Sequence, residues 1–332
     1  MDNKKLLPAL LGCVLRDEKV PQQLVPEDWQ SLLELAYRHK VHNTLACILP
    51  LLPERPDEAL CRTFEGMTME QMLISSNQLH GARQLQESFE SRGLYNMMLK
   101  GVQTKLLYPQ DYMRSMGDMD ILCKPEQNAQ VRKAMEAMGY GDFQPGRKHD
   151  HYRYPPYLLV EMHRELVPAS STYSDYYRDI WQRCKPLADH SYSYEMSVED
   201  GYIFCLVHLA GHFRDGGVGI RFIMDVYVYE RLTALNRDYL KEQLEILGLS
   251  TFYANVVKLA KHWFGGEEGN DLTEAMAEYV YSGGLYGSVK MPEPILYPRV
   301  VGYAFWWEPA SRDIRKCVRC IPGWRNGPLR CR

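Results

Sequence analysis

Residues 114–122 read Arg-Ser-Met-Gly-Asp-Met-Asp-Ile-Leu, a run that passes into alternating acidic and apolar side chains. Side chains two apart on an extended strand point the same way, so Asp118 and Asp120 share one face while Met119, Ile121 and Cys123 enter the core. Two carboxylates held this close repel each other, and a divalent cation between them relieves the repulsion. Their hard oxygen atoms suit Mg²⁺, or Mn²⁺, which shares its coordination sphere with substrate phosphates. The run therefore predicts a metal-binding strand.

A second acidic strand is predicted at residues 158–166. Glu161 and His163 would lie on one of its faces, with apolar neighbours on the other. If the two strands are adjacent, Glu161 completes a cluster of three carboxylates that can hold two metal ions. An Asp-x-Asp pair alone also occurs on solvated edge strands and turns. Lys100-Gly101 upstream and Glu161 downstream make the metal site the favoured interpretation.

The surrounding sequence predicts an α+β fold in three parts. Residues 1–92 form an N-terminal helical region, in which Met69, Met72, Leu73, Ser76 and Leu79 share one helix face within 63–91. Residues 93–190 contain short apolar runs punctuated by glycine and proline, which is typical of a small mixed sheet with covering helices. Residues 191–332 form a C-terminal helical region with a basic tail.

The amino-acid composition argues against several classes of protein. The 332 residues carry 39 Lys+Arg against 42 Asp+Glu, a net charge of −3, so no global field attracts nucleic acid. Nine scattered cysteines indicate reduced thiols in the cytoplasm. The longest apolar run, 6–15, is about half of what a membrane-spanning helix needs, so no membrane partner is expected. Within that run, Leu11-Gly12-Cys13 resembles the end of a signal peptide with a lipid-attachment cysteine, but the favoured interpretation is that the run forms a first amphipathic helix.

The motifs resemble the uncharacterised nucleotidyltransferase family of the DNA polymerase beta-like superfold. The resemblance rests on Lys100-Gly101, Arg114, residues 116–122 and residues 160–163, and extends more weakly over 29–49, 208–225 and 297–312. It implies transfer of a nucleoside monophosphate from an NTP, with ATP expected, to an unknown hydroxyl acceptor, with release of pyrophosphate. It also implies that Asp118, Asp120 and Glu161 bind the metal and that Glu161 helps to activate the acceptor.

Further residues are expected to bind the nucleotide. These are Lys100, Gly101, Arg114, Gly117, His163, His212, Arg221 and Asp225. The superfold usually has Gly-Ser after its first strand, whereas here Val102 follows Gly101. Phosphate binding must then use Lys100, Arg114 or backbone N–H groups. The departure keeps open a second hypothesis, a catalytically silent protein of the same fold that binds a nucleotide or a partner.

Two histidines give a third and weaker hypothesis. His208 and His212 stand four apart on a predicted helix, as Arg221 and Asp225 do on the next, so each pair shares a face. The histidines could hold a metal ion with Asp225, as in a hydrolase, or line the nucleotide cleft. A purely structural interpretation makes Arg221 and Asp225 an ion pair within one helix. A cleft-lining or structural role is favoured over a separate metal site.

Other polar clusters carry less information. His149 and His151 would be useful near phosphates, but ordinary polar positions in the sheet and its loops are favoured for them. Cys317, Cys320 and Cys331 lack the fourth ligand that a structural zinc site needs.

Overall fold

The computed structural model describes residues 2–146, 149–156, 158–215 and 217–283. Over these residues the fold is α+β, as predicted. The helices are α1 (Asn3–Arg16), α2 (Trp29–Arg38), α3 (His42–Ala46), α4 (Glu58–Ser91), α5 (Lys100–Lys105), α6 (Asn128–Ala137), α7 (Ser174–Tyr177), α8 (Ile180–Arg183), α9 (Val198–Asp215), α10 (Ile220–Glu230), α11 (Arg237–Ile246), α12 (Ser250–Gly265) and α13 (Asp271–Gly283). The strands are β1 (Asn96–Met98), β2 (Met119–Cys123), β3 (Gly141–Gln144), β4 (His149–Tyr154), β5 (Leu158–His163), β6 (Lys185–Pro186) and β7 (Ser193–Glu195).

The strands form one mixed sheet in the order β3-β4-β5-β2-β1-β7-β6. Strand β2 lies near the middle, antiparallel to β1 and parallel to β5, while β4 runs antiparallel to β5. The register sets Asp120 beside Glu161 and Glu161 beside His151. Because residues paired across a sheet project to the same side, these three side chains form a row on one face.

The opposite face of the sheet is apolar. Met119, Ile121 and Cys123 are each at most 1% exposed and pack with residues of α4 and α6, as the alternation predicts. On the other side, Leu122 joins the larger core that α1, α9, α10 and α12 build. The two-residue period of β2 thus separates a buried apolar face from the face that carries the carboxylates.

The N-terminal region is helical, as expected. The run 6–15 lies in α1, so the expected helix is present, but nine of its ten residues are buried, and this part of the helix is therefore a core helix and not an amphipathic one. None of the helices in the described parts of the chain is long and apolar enough to cross a bilayer.

The predicted apolar face of α4 is only partly a core face. The helix is present, but Met69, Met72 and Leu73 are 67%, 48% and 64% exposed. The buried face instead includes Ser75 and Gln78, polar residues that bond to the segment before β2. Helical spacing shows which residues share a face, and tertiary contacts decide which face is covered.

Helices α9 to α13 confirm the expected C-terminal helices. Ser197 accepts a hydrogen bond from the N–H of Asp200 and so caps α9, as predicted. The proline and aromatic stretch 297–312, the three C-terminal cysteines and the basic tail lie outside the described residues.

Candidate active site

The carboxylate face of the sheet opens into a cavity of about 820 Å³. Helices α9 and α10 and the segment 165–173 form its other walls. Small-molecule sites commonly occupy about 300–1,000 Å³, so the cavity is large enough for a nucleotide. It is lined by all the residues that the sequence analysis assigned to catalysis, metal binding or nucleotide binding, namely Lys100, Gly101, Arg114, Gly117, Asp118, Asp120, Glu161, His163, His212, Arg221 and Asp225.

Asp120 is the buried centre of the polar row. Its Oδ2 lies 2.8 Å from Nζ of Lys100, and its Oδ1 lies 2.8 Å from Nε2 of His163. Lys100 is positioned where β1 passes into α5, next to the bond from the Leu99 N–H to the Asp120 carbonyl. Burial alone would raise the pKa of Asp120, but Lys100 and His163 together hold it well below its ordinary value. Asp120 is therefore ionised at neutral pH.

The pKa of Asp118 is shifted in the opposite direction to that of Asp120. Burial raises its pKa, and the negative charges of Asp120 and Glu161 raise it further, against a smaller opposing effect of Lys100. Asp118, directly before β2, is thus close enough to Asp120 and Glu161 for their negative charges to act on it. A divalent cation bound here would relieve that repulsion.

Glu161 lies between the carboxylates and three histidines. Its Oε2 is 3.3 Å from Nε2 of His149 and 3.5 Å from Nε2 of His163, and its Oε1 is 3.5 Å from Nδ1 of His151. Burial would raise the pKa of Glu161, but the hydrogen bond from His163 and the proximity of His149 lower it. The side chain is therefore ionised at neutral pH.

His149 and His163 differ in their titration. Burial lowers the pKa of His149, although Glu161 partly opposes this effect. For His163, burial also lowers the pKa, but its bonds to Asp120 and Glu161 outweigh burial and raise it. Among the described residues, two sets of side chains converge closely enough to bind a metal ion: His149, His151 and Glu161, and Asp120, Glu161 and His163. Neither set includes Asp118, which was predicted as a ligand together with Asp120 and Glu161.

The back wall of the cavity holds a buried ion pair. Arg114 donates from Nε to Oδ1 of Asp225 at 2.8 Å and from its second terminal nitrogen to Oδ2 at 2.9 Å. The Tyr108 hydroxyl donates to the same carboxylate at 2.7 Å. The interpretation of Arg221 and Asp225 as an ion pair within one helix is wrong, because Asp225 pairs with Arg114 and Arg221 donates to the Ser115 carbonyl. Residues distant in sequence satisfy Asp225 better than its neighbour on α10.

The two histidines of α9 lie in the aromatic wall. The rings of His208 and His212 are 4.4 Å apart, and the His212 ring is 4.8 Å from that of Phe222. Burial, and then the charge of Lys100, lower the pKa of His208 well below its ordinary value. His208, His212 and Asp225 do not converge into a set of metal ligands. The hydrolase hypothesis is therefore wrong in its ligands, since Asp225 is taken by Arg114 and Tyr108.

Comparison of the sequence with known protein families identifies the family of the chain. The model of a family described as uncharacterised nucleotidyltransferase matches residues 26–265, which include the whole carboxylate row. The chain belongs to this family. No curated protein and no solved structure matches the chain. The resemblance inferred from the aspartate motif is thus confirmed.

Membership in the uncharacterised nucleotidyltransferase family supports a general nucleotidyl transfer function. The departure at Val102 is explained by packing, since Val102 is 8% exposed and lies in the core behind the sheet. A Cβ at Gly101 would lie 2.8 Å from Sδ of Met116, so a larger residue there would have to displace the Met116 side chain. The turn between β1 and α5 is therefore closely packed and has no hydroxyl at position 102.

Proposed function

We propose that the protein transfers a nucleoside monophosphate from an NTP, with ATP expected, to a hydroxyl acceptor. The acceptor oxygen forms a bond to the α-phosphorus, the bond from that phosphorus to the bridging oxygen breaks, and pyrophosphate leaves. One observation carries the proposal: Asp120 and Glu161 are neighbours on one face of the sheet, and they line the same cavity as Asp118, which directly precedes β2, and Lys100.

The carboxylates are the proposed metal ligands. Mg²⁺ or Mn²⁺ held by Asp118, Asp120 and Glu161 would supply positive charge against the phosphates and position them for displacement. Asp120 and Glu161 are both ionised at neutral pH, which is the form that binds a cation. His163 holds these two carboxylates in place through its Nε2 atom.

Two side chains would act on the reacting groups. The Lys100 side chain is 20% exposed, and phosphate oxygens that enter the cavity would compete with Asp120 for its ammonium group. Glu161, ionised and placed between Asp120 and His151 in the row, is the proposed acceptor of the proton that leaves the attacking hydroxyl. Both roles depend on position more than on unusual reactivity.

Residues in the remaining walls of the cavity would bind the nucleoside or keep the other side chains in position. We place the base beside His212 and Phe222, whose rings offer a stacking surface. Arg221 lines the same wall. Arg114 and Asp225 are assigned to positioning, because each neutralises the other. Their pair connects the segment before β2 to α10.

Turnover of labelled nucleotides tests the proposal. The purified protein is incubated with each α-labelled NTP, Mg²⁺ or Mn²⁺ and a cell extract as the source of acceptor. Wild-type protein should release pyrophosphate and label a product, whereas Asp118→Asn and Asp120→Asn should do neither. Asp142→Asn, at an exposed position in β3, is the matched control and should keep full activity.

The silent nucleotide-binding protein is the second candidate, and Val102 is the observation that favours it. Val102 is buried in the core and is not among the residues that line the cavity, so its side chain offers the terminal phosphates no contact. Saturable binding of an NTP with no consumption in any metal would support this candidate over transfer. The six cysteines described by the structure are free thiols, which fits our proposal of a cytoplasmic location.

A further inference from the structure

The polar row continues past Glu161 onto β4. His151 is paired with Glu161 in the antiparallel register, and His149 is paired with His163. His149 and His151 are two residues apart on one strand, so both project to the carboxylate face. Two imidazole rings with centroids 4.7 Å apart therefore flank the side of Glu161 that faces away from Asp120.

The ligand atoms of this group converge without close pairing. Nε2 of His149 and Nδ1 of His151 approach the two Glu161 oxygens at 3.3 and 3.5 Å, and all three ligand atoms lie within 4.8 Å of one another. Direct N–H···O bonds are most often about 2.9–3.0 Å long. Ligand atoms about 2.1 Å from a tetrahedral zinc ion are about 3.4 Å apart. Each histidine lies at about this distance from one Glu161 oxygen, His149 from Oε2 and His151 from Oε1.

We infer that His149, His151 and Glu161 form a second metal site, which takes a transition-metal ion of the Zn²⁺ class. Imidazole nitrogen binds Zn²⁺ and Co²⁺ far better than it binds Mg²⁺, so the site differs in chemistry from the oxygen donors of Asp118 and Asp120. Two histidines and one glutamate leave a coordination position open. His149 and Glu161 line the cavity, so that position is accessible from it.

The site overlaps the proposed nucleotidyl-transfer site at a single residue. It needs neither Asp118 nor a nucleotide, and it shares only Glu161 with the proposed Mg²⁺ ligands. The two inferences therefore separate by mutation, since Asp118→Asn removes transfer and leaves both histidines in place. His149 and His151 are 24% and 35% exposed, so their substitution disturbs little of the core.

Cobalt provides a direct test, because Co²⁺ bound by nitrogen and oxygen in a tetrahedral site absorbs visible light. The full chain is titrated with Co²⁺ and the visible spectrum is recorded, with Zn²⁺ added at the end as competitor. We expect one equivalent of Co²⁺ with tetrahedral bands, displaced by Zn²⁺. His149→Asn and His151→Asn should each weaken binding beyond the roughly 10- to 100-fold that loss of a mere supporting group costs.

Two variants serve as controls. His80→Asn removes an exposed histidine of α4 and should leave the titration unchanged. Asp118→Asn should also leave it unchanged, which distinguishes this site from the carboxylate cluster. Circular dichroism confirms that each variant is folded.

Three outcomes would overturn the inference. The first is the absence of visible bands from the wild-type protein. The second is a spectrum dominated by thiolate-to-cobalt charge transfer, which would place the ion on cysteines. The third is binding that survives both histidine substitutions or that disappears in Asp118→Asn.

Discussion

Replacement of Asp225 by asparagine should destabilise the protein far more than its single lost charge suggests. The Asp225 carboxylate accepts two hydrogen bonds from Arg114 and one from Tyr108, all between 2.7 and 2.9 Å. Both members of the ion pair are almost fully buried, at 6% and 7% exposure. The asparagine amide would leave the Arg114 guanidinium buried without a counter-charge and would present N–H groups to donors.

The size of the effect follows from that burial. Breaking a buried ion pair by removing one partner costs about 3–5 kcal/mol. With a midpoint shift of about 2 °C per kcal/mol for a chain of this size, Asp225→Asn should lower Tm by about 6–10 °C. Urea unfolding, followed by circular dichroism, measures the same loss as a lower denaturation midpoint with an unchanged slope.

A surface pair supplies the matched control. Arg132 and Glu136 lie 2.9 Å apart on α6, but both are 52% exposed, so Glu136→Gln should cost no more than about 0.5 kcal/mol. The double variant Arg114→Met with Asp225→Leu should recover part of the lost stability, because no buried charge remains. If Asp225→Asn costs as little as Glu136→Gln, the assignment of Arg114 and Asp225 to a structural pair is refuted.

Three further predictions concern the packing and charges described above. Gly12→Ala should destabilise the protein, because its Cβ would lie 2.6 Å from the Phe264 carbonyl oxygen, whereas Gly66→Ala, with nothing within 4 Å, should stabilise it by about 0.5–1 kcal/mol in urea unfolding. Folding raises the pKa of His163 above 6.5, so the stability that its bonds contribute is fully present below pH 6.5 and falls as the pH rises through the folded-state pKa. The difference in unfolding free energy between wild type and His163→Gln should therefore become smaller with rising pH. A difference that grows with pH would contradict the pairing. Lys100→Gln should reduce nucleotidyl transfer by about 100-fold or more, since a preorganised donor is lost, and transfer at the wild-type rate would remove Lys100 from the site.

Local patterns were sufficient to predict the central strand and many helices. The bounds of β2 agree with the run 119–123, because alternation of acidic and apolar residues needs only one buried face. Strand β4 was not predicted, since its sequence from His149 to Tyr154 is polar and aromatic, and it becomes a strand through pairing with β5. The proximity of His149 and His151 to Glu161 was not predicted for the same reason.

Contacts between residues distant in the chain could not be predicted from the sequence. The register that sets Asp120 beside Glu161 depends on which strands become neighbours, and the sequence supports it only conditionally. The pair of Arg114 and Asp225 joins residues 111 apart in the chain, and no local signal distinguishes it from a pair with Arg221. The boundaries at 92 and 190 stay predictions.

A crystal structure with a non-hydrolysable NTP analogue and Mn²⁺ tests the central claim most directly, because anomalous scattering locates manganese independently of the protein. We expect manganese in contact with carboxylate oxygens of Asp118 and Asp120 and with the analogue's phosphates, with Glu161 beside the α-phosphate. Phosphates bound away from these carboxylates, or no manganese between them, would contradict the account.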